Sequence, residues 1–323
     1  MNKVAVVGLG NISQRHRANL RELYPEAKIF AVSASGRLPC ESIENADECL
    51  SSVDDLLKYD MDMAIVASPA TFHAQHAITL LGAGIPVLIE KPLTASVADA
   101  EAIATIAKDT KVIAAVGYCL RYLSSSKKVK ELIQNGDLGN IYNAFVEIGQ
   151  FLPDWRVGKN YKESVSANAE LGGGALLELS HELDYAQWLF GELTPHSAIL
   201  RSSVELELSV EDSADILAVN SEGMVISIHL DLLQRKARRR CRVIGSKGSI
   251  EWDLLSNQVK MITATDQHMV FDGSCCDRNE MYLSMLKDFK RKISNESNQC
   301  ISLTEAQQTV LFVEKIKELA LKR

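Results

Sequence analysis

The feature that most constrains the fold is a strand that runs straight into a glycine turn and a helix. Residues 3–7 form an apolar, β-branched run, residues 8–13 form the turn, and a helix is predicted from about Gln14 to Leu23. Strand, turn and helix in this order are typical of a dinucleotide-binding fingerprint. Gly8 permits the tight turn, and Gly10 lets the backbone approach a pyrophosphate at the positive end of the helix. The turn residues predicted to bind the cofactor are Gly8, Gly10, Asn11, Ile12 and, in place of the third glycine, Ser13.

The second strand ends in hydroxyls and a guanidinium. An acidic side chain at this point normally binds the ribose 2′-hydroxyl of NAD. Here the strand Lys28 to Val32 is followed by Ser33, Ser35 and Arg37. Because hydroxyls and a guanidinium can hold a 2′-phosphate, the sequence favours NADP over NAD as the cofactor. A plain polar loop is the alternative interpretation.

Strands and helices continue to alternate through the first third of the chain. The predicted strands lie at about 61–67, 87–89 and 111–116, and the predicted helices at about 47–57, 71–83 and 99–108. This alternation predicts a parallel, doubly wound α/β sheet. Ser68 and Pro69 end one strand on the cofactor side, and Thr71 is the predicted N-cap of the helix that follows. His73 faces the cofactor from the first turn of that helix, or it is a surface or core histidine.

A carboxylate and an amine follow the predicted strand 87–89. Glu90, Lys91 and Pro92 end its apolar run abruptly. Ligands of an open α/β sheet bind outside the carboxyl ends of the strands, so Lys91 is placed where chemistry takes place. The alternative is that Glu90 and Lys91 form a solvated turn.

Beyond residue 140 the pattern changes to consecutive strands with short links. These strands are predicted at about 141–151, 198–208, 214–220, 224–232, 241–244, 249–253 and 258–263, and two helices follow at about 279–293 and 304–321. The order predicts a second, α+β domain with an open, mainly antiparallel sheet. The basic run 235–240 is interpreted as a charged hairpin or sheet edge. Ser302 and Glu305 offer capping chemistry for the last helix.

A triple glycine at 172–174 precedes a predicted helix of about four turns. Leu177, Ser180, His181 and Asp184 fall on one stripe of this helix, at i, i+3, i+4 and i+7. Glu178 is a second acidic neighbour of His181, at i, i+3. A histidine flanked by carboxylates has its tautomer and protonation controlled, as proton transfer near neutral pH requires. A salt-bridge pair on the helix surface is the alternative.

Composition and charge argue against several classes of function. A net charge of −7 over 323 residues disfavours nucleic acid as the main partner. No apolar run approaches the roughly 18 residues of a membrane span, so we expect no membrane partner. The strand at the N-terminus leaves no room for a signal peptide. Seven cysteines without metal-ligand spacing predict free thiols, no metal site and a cytoplasmic location.

These motifs resemble those of the Gfo/Idh/MocA family of NAD(P)-dependent sugar and polyol oxidoreductases. The resemblance runs nearly end to end and rests on Gly8-x-Gly10, Glu90-Lys91-Pro92, Gly117-Tyr118-x-x-Arg121-Tyr122, the glycines Gly172 to Gly174, and His181 with Asp184. It implies a Rossmann domain over residues 1–120 and a substrate and oligomerisation domain over 121–323. It also implies that the helix at 304–321 packs back on the first domain, and that a homodimer or homotetramer forms through the open sheet.

The resemblance implies roles for individual residues. Lys91 lies beside the nicotinamide and the substrate hydroxyl, with Glu90 in the cofactor-binding set, and His181 transfers the proton. A neutral imidazole takes that proton while the lysine ammonium stabilises the developing alkoxide. The chain departs from the family at Leu177, which stands where an Asp four residues before His181 is usual. Either Glu178 takes over the orienting role or that role is absent.

Substrate contacts are predicted in the loop after residue 151 and in the motifs of the resemblance. Trp155 and Tyr161 offer rings that stack on a sugar face, and Arg156 offers a guanidinium for a carboxylate or phosphate. A purely structural loop is the alternative. The resemblance adds Tyr118, Arg121 and Asp184 to the substrate site.

The sequence therefore predicts hydride transfer between NADP or NAD and a secondary hydroxyl or ketone of a sugar, sugar derivative or polyol. Two other functions use the same fold and stay open. One is a non-catalytic protein that senses the nucleotide. The other is a different chemistry, such as reduction of an imine or a conjugated double bond, or cofactor-assisted glycoside cleavage.

Overall fold

The structure is a computed structural model that describes residues 1–38, 42–155, 158 and 160–321. The chain forms two units: Met1–Tyr118 with Tyr282–Val310, and Cys119–Met281 with Leu311–Arg323. The boundary after residue 120 and the packing of the last helix on the first domain stay predictions. Among the described residues, no helix is both long and apolar enough to cross a membrane.

The first unit contains a six-stranded parallel sheet in the order β3-β2-β1-β4-β5-β6. Its strands are β1 (Lys3–Val7), β2 (Lys28–Val32), β3 (Glu48–Leu50), β4 (Met63–Val66), β5 (Val87–Glu90) and β6 (Ala114–Gly117). Its helices are α1 (Asn11–Leu23), α2 (His73–Gly82) and α3 (Val97–Thr110). β4 and β5 are buried along their whole length, as expected for parallel strands covered on both faces. The predicted doubly wound parallel sheet is confirmed.

The helix predicted at 47–57 is wrong. Residues 48–50 pair with β2 as the edge strand β3, and a 3₁₀ helix covers Asp54–Lys58. The hydroxyls of Ser51 and Ser52 both donate to the Asp55 carboxylate, at 2.9 and 3.1 Å. Such local bonds compete with regular helix, and the tertiary pairing with β2 fixes the rest.

The predicted N-cap at Thr71 is also wrong. A 3₁₀ turn covers Ala70–Phe72, and α2 begins at His73 with Phe72 in the cap position and no capping side chain. The extra turn lies directly after Pro69, whose extended backbone ends the preceding loop.

The second unit contains an eight-stranded sheet in the order β14-β13-β12-β11-β7-β10-β9-β8. Its strands are β7 (Ile141–Gly149), β8 (Leu193–Arg201), β9 (Ser213–Asn220), β10 (Val225–Asp231), β11 (Arg238–Gly245), β12 (Ser249–Asp253), β13 (Gln258–Ile262) and β14 (Gln267–Asp272). All neighbours are antiparallel except β7 and β10, which are parallel. The predicted open, mainly antiparallel sheet is confirmed, although β14 was not predicted and β8 begins and ends earlier than expected.

The basic run 235–240 does not form an edge. Its second half, residues 238–240, enters β11, which lies between β12 and β7 in the middle of the sheet. Arg238 and Arg240 are exposed, whereas Arg239 points the other way and pairs with the buried carboxylate of Glu182. Alternation along the strand therefore accommodates three consecutive arginines in a central position.

The remaining helices are α4 (Ser124–Gln134), α5 (Ala175–Glu178), α6 (Ser180–Phe190), α7 (Glu280–Ile293) and α8 (Leu303–Leu321). The predicted capping chemistry before α8 is present. The Glu305 N–H donates to Ser302 Oγ at 3.2 Å, and the Ser302 N–H donates to the Glu305 carboxylate at 3.0 Å. This reciprocal arrangement is a capping box.

Candidate active site

The glycine turn after β1 is shaped by close packing on one side and open space on the other. Gly8 has φ +115°, and a Cβ there would collide with the Ala67 carbonyl oxygen. Ser13 Oγ donates to the same oxygen at 3.1 Å, which explains how a serine serves in the third glycine position. A Cβ on Gly10 would meet nothing within 4 Å. Asn11 and Ile12 open α1, whose N-cap Gly10 brings no capping side chain, so its first N–H groups can receive an anionic group.

The segment after β2 is polar and largely exposed. Ser33 is buried and its N–H donates to the Leu50 carbonyl oxygen at 2.9 Å, whereas Ser35 and Arg37 are exposed. Residues 33–38 contain no carboxylate. The exposed groups at this turn are therefore the Ser35 hydroxyl and the Arg37 guanidinium, whereas Ser33 is buried and hydrogen-bonded to the sheet through its backbone.

His73 is a core histidine in this structure. Its Nε2 lies 2.8 Å from the Ser68 carbonyl oxygen, and its Nδ1 lies 3.0 Å from that of Pro92. Burial lowers the pKa of His73 against the opposing effect of these carbonyl groups. The ring links the loop after β4, with Ser68 and Pro69, to the segment after β5. Of the two interpretations of the sequence, the geometry fits the structural one.

His76 was not singled out from the sequence, yet it holds the Ser68 side chain. Its Nδ1 lies 3.0 Å from Ser68 Oγ, and its ring stacks on Phe72. Burial, together with the charge of nearby His73, lowers the pKa of His76 to about 4, so it is neutral at pH 7. An i, i+3 relation to His73 on α2 was the only sequence signal for this residue.

Glu90 and Lys91 lie at the carboxyl end of β5. Glu90 is buried, and its Oε1 lies 2.6 Å from Nε2 of the fully buried His16. Its Oε2 accepts the N–H of Lys91 at 3.1 Å. Burial raises the pKa of Glu90, but the hydrogen bond and charge of His16 and the charge of Lys91 outweigh it, so the pKa lies below its usual value. Glu90 thus carries a buried negative charge next to Lys91 rather than forming a solvated turn.

The predicted four-turn helix after the triple glycine is interrupted. α5 ends at Glu178, Leu179 has φ −99° and ψ 23°, and α6 begins at Ser180. The single stripe predicted from Leu177 onward therefore breaks, although His181 and Asp184 still share α6. Gly173 lets the preceding loop pack closely, because a Cβ there would lie within 2.8 Å of the backbone at 165, 166 and 168.

His181 and Glu178 have neighbours that the sequence did not reveal. His181 Nε2 lies 4.0 Å from Sγ of the buried Cys119. The Glu178 carboxylate accepts a hydrogen bond from Ser166 Oγ at 3.0 Å. Cys119 comes from the 3₁₀ turn after β6, and Ser166 from the loop that packs on the triple glycine.

Two bidentate ion pairs hold α6 at Glu182 and Asp184, which follow His181 on this helix. Arg121 donates to the Asp184 carboxylate at 2.9 and 2.7 Å, and Arg239 donates to Glu182 at 2.7 and 3.0 Å. Burial lowers the pKa of Arg239, but Glu182 more than offsets it, so the net pKa lies above its usual value. Arg121 and Asp184 were predicted as substrate contacts, and the structure shows that they bind each other. Tyr118 is fully buried.

A pocket of about 380 Å³ lies in the loop region of the second unit. It is lined by Leu152, Trp155, Gly158, Asn160, Tyr161, Glu163, Ser164 and Ser166. Tyr161 donates its hydroxyl to the Leu206 carbonyl oxygen at 3.3 Å. The predicted contacts Trp155 and Tyr161 thus meet in one cavity, and Arg156 lies outside the described residues. Within the described ranges, no group of three or more His, Cys, Asp or Glu side chains is placed to hold a metal ion.

Comparisons with known proteins match both halves of the chain. The profile described as "Oxidoreductase family, NAD-binding Rossmann fold" (GFO_IDH_MocA) matches residues 2–118, and the "GFO/IDH/MocA C-terminal domain" matches residues 126–251. Apart from Met1, the two profiles leave residues 119–125 and 252–323 unmatched.

Similar relatives include glucose-6-phosphate 3-dehydrogenase of Bacillus subtilis (strain 168), which is 31% identical over 199 residues, 59% of this chain and 54% of that protein. Inositol 2-dehydrogenase of Gluconacetobacter diazotrophicus is 26% identical over 255 residues, 76% of this chain and 72% of that protein. A solved structure of levoglucosan dehydrogenase in complex with NADH has a TM-score of 0.86 at 20% identity, covering 99% of this chain and 97% of that one. The first alignment spans about half of the relative, and the structural likeness shows the fold.

Proposed function

The chain belongs to the Gfo/Idh/MocA family of oxidoreductases, and from this premise we propose that it transfers hydride between a nicotinamide dinucleotide and a secondary hydroxyl or ketone of a sugar, sugar derivative or polyol. The observation that carries the proposal is the position of Lys91. It follows β5 at the same carboxyl edge of the parallel sheet as the open glycine turn after β1. Dinucleotides bind across that edge where the strand order reverses, between β1 and β4. The names of the relatives support the substrate class.

A bound nicotinamide dinucleotide would supply the hydride acceptor for the carbinol carbon, or the hydride donor in the reverse direction. The chain supplies the proton chemistry and the orientation. In the oxidising direction, the His181 imidazole takes the hydroxyl proton, and the Lys91 ammonium stabilises the alkoxide as the C–H bond breaks. The proton on His181 then leaves to solvent, so one hydride and one proton are removed per ketone formed. Glu178, whose carboxylate accepts a hydrogen bond from Ser166, assists by orienting His181.

Substitution of Lys91 and His181 tests the proposal. Lys91→Ala and His181→Ala are each expected to lower kcat by at least about 100-fold, because each removes a proton-handling or charge-stabilising group. Matched controls are Lys108→Ala and His196→Ala, which remove exposed side chains of the same types. Initial rates on a panel of sugars and polyols with NADP and NAD provide the measurement. Near-unchanged turnover in both variants would refute the assignment, and cofactor binding without turnover on any substrate would favour a sensing role.

We propose NADP as the preferred cofactor. Arg37 and Ser35 are exposed at the turn where a 2′-phosphate would lie, and this turn offers no carboxylate for a ribose hydroxyl. Arg37→Ala is expected to weaken NADPH binding by about tenfold, the equivalent of one charge-assisted contact, and to leave NADH binding within about twofold. Titration of nicotinamide fluorescence measures both. Equal effects on the two cofactors would contradict the preference.

We propose that the pocket with Trp155 and Tyr161 contacts the substrate. Its aromatic rings suit the apolar face of a sugar, and its Asn, Glu and Ser side chains suit hydroxyl groups. Tyr118, Arg121, Arg156 and Asp184 are proposed as further residues that contact the substrate. Trp155→Ala is expected to raise KM more than it lowers kcat. The reverse result would point to a structural role for the loop.

We also propose that the protein self-associates as a dimer or tetramer through the open sheet and works in the cytoplasm. The pairing of four neighbouring strands places one residue from each in a row on one face of the sheet, namely Phe145, Ser227, Leu217 and Ser197. Phe145 and Leu217 are each 38% exposed. The six cysteines in the described part of the chain are free thiols, which supports the proposed cytoplasmic location. Leu217→Glu should shift the mass measured by light scattering toward the monomer, whereas Val204→Glu, an exposed residue outside the strands, should not. An unchanged mass in Leu217→Glu would refute this interface.

A further inference from the structure

His16 is a buried histidine that no motif in the sequence explained. It lies on α1, the helix that begins directly after the glycine turn, and its side chain is fully inaccessible. Its Nε2 lies 2.6 Å from Glu90 Oε1, across 74 residues of sequence. The ring edge faces Tyr282 with centroids 6.2 Å apart. All three residues belong to the first unit.

The polar chemistry of this ring is directed at Glu90 alone. His16 Nδ1 is buried, and it has no hydrogen-bond partner in the described part of the chain. An apolar side chain would avoid this unpaired nitrogen, but it would leave Glu90 Oε1 without the donor from position 16. Glu90 is charged, so Nε2 must carry the proton and donate to it. The property specific to histidine at this position is therefore a donor aimed at the Glu90 carboxylate.

The Glu90 carboxylate in turn fixes the backbone at Lys91. Its second oxygen accepts the Lys91 N–H at 3.1 Å. Gly117 of β6 packs against it so closely that a Cβ there would lie 3.2 Å from Oε1. With donors on both oxygens and a strand against its side, the carboxylate has little freedom to rotate. It bridges α1 to the first residue after β5.

We propose that His16 is a positioning residue that acts through Glu90 to hold Lys91 in register with the cofactor-bearing helix α1. This inference rests on the proposed function, which gives Lys91 its catalytic role and α1 the pyrophosphate. One hydrogen-bonded bridge then sets the distance between the helix that holds the cofactor and the amine that stabilises the alkoxide. Misplacement of a reacting group by about 1 Å can cost on the order of 100-fold in rate.

The bridge also controls the charge of Glu90. The charged or titratable groups that face this carboxylate are His16 from α1, Lys91 after β5 and His73 from α2. Burial acts to raise the pKa of Glu90, and the His16 donor is the main opposing influence. Without that donor the carboxyl group protonates at a higher pH, and the bond to α1 is lost in both protonation states.

Substitution of His16 by Met and by Gln separates positioning from packing. Met fills a similar volume without a donor, whereas the Gln amide nitrogen can occupy the place of Nε2. His16→Met is expected to lower kcat by about 100-fold, with cofactor Kd and substrate KM within about threefold. The loss of kcat on the acid side should also begin at a higher pH than in the unsubstituted protein, because Glu90 then protonates more readily. His16→Gln should recover most of the lost kcat.

Equal kcat in the unsubstituted protein and His16→Met, or equal losses in the Met and Gln variants, would overturn the proposal. If His16→Met does not fold, Glu90→Gln provides the test, because an amide has only one acceptor oxygen for the two donors of His16 and Lys91. A kcat loss of about tenfold or more is then expected. Retention of kcat in Glu90→Gln would refute the bridge.

The Lys91→Ala variant distinguishes the two levels of failure. If Lys91→Ala keeps turnover, the proposed function itself fails, whatever His16 does. If Lys91→Ala loses turnover while His16→Met and Glu90→Gln keep it, the proposed function stands and only the positioning role is refuted.

Discussion

The stability of the second unit should be sensitive to the loss of one partner from the buried pair of Arg239 and Glu182. The Glu182 side chain is fully buried and that of Arg239 is 17% exposed, with two hydrogen bonds of 2.7 and 3.0 Å between them. Removal of one partner from such a pair leaves an uncompensated buried charge and costs about 3–5 kcal/mol. We therefore expect Arg239→Met to lower the free energy of unfolding by that amount.

Urea unfolding followed by tryptophan fluorescence measures this effect selectively. All three tryptophans, Trp155, Trp188 and Trp252, belong to the second unit, so the signal reports on that unit. With an m-value of about 2 kcal/mol/M, the loss moves the urea midpoint down by roughly 2 M. Arg240→Met is the matched control. Arg240 is the next residue on β11 and is exposed, and its Nε lies 3.4 Å from the Asp253 carboxylate, so we expect a change below about 1 kcal/mol.

A double variant makes the reasoning refutable. Glu182→Leu with Arg239→Met removes both charges, so most of the lost stability should return, to within about 1 kcal/mol of the unsubstituted protein. If Arg239→Met costs less than about 1 kcal/mol, the pair is not the buried charge pair that its geometry indicates. If the double variant is as unstable as the sum of the single ones, packing rather than charge is responsible.

Three further predictions concern other parts of the chain. His229 lies between Asp231 and Asp215, at 2.9 and 2.6 Å, and the hydrogen bond to Asp231 is the largest of the effects that raise its pKa to about 9. Its contribution to stability should be complete below about pH 6.5 and lost as pH rises through about 9. The melting temperatures of His229→Gln and the unsubstituted protein should therefore converge above that pH. A difference in melting temperature that persists at about pH 10 would contradict this. Gly8→Ala should prevent stable folding of the first unit, because Gly8 has a positive φ and a Cβ there would collide with the Ala67 carbonyl. Gly10→Ala should change stability by less than about 1 kcal/mol and weaken cofactor binding. Circular dichroism and fluorescence titration measure these effects, and the opposite order of the two variants would refute the turn geometry. Ser302→Ala should destabilise α8 by about 1 kcal/mol through loss of the capping box, measured by urea unfolding against Ser294→Ala as control; an unchanged midpoint would contradict the prediction.

The parts of the fold that the sequence predicted are those with local signals. The glycine turn, Lys91 at a strand end and the alternation of strands and helices each depend on residues within about one element of each other. The bond between His16 and Glu90 joins positions 74 residues apart and leaves no local pattern. The edge strand at 48–50 was missed for a related reason, since its pairing with β2 is a tertiary contact that outweighs local propensity. The central position of β11 was missed because one arginine of its basic run is paired inside the unit.

The long link between β7 and β8 has a consequence for how the pocket described above can change shape. Residues 150–192 leave the sheet at the end of β7 and return at the start of β8, and this link contains the pocket loop and α6. It joins the central strand β7 to the edge strand β8, which is held in register by β9, so the pairing of the strands does not depend on the length of the link. Because doubling the length of a flexible loop costs only about 0.6 kcal/mol, insertions near the pocket are cheap in stability. The fold can therefore acquire a differently shaped pocket through insertions and deletions, while the strands that support it keep their pairing.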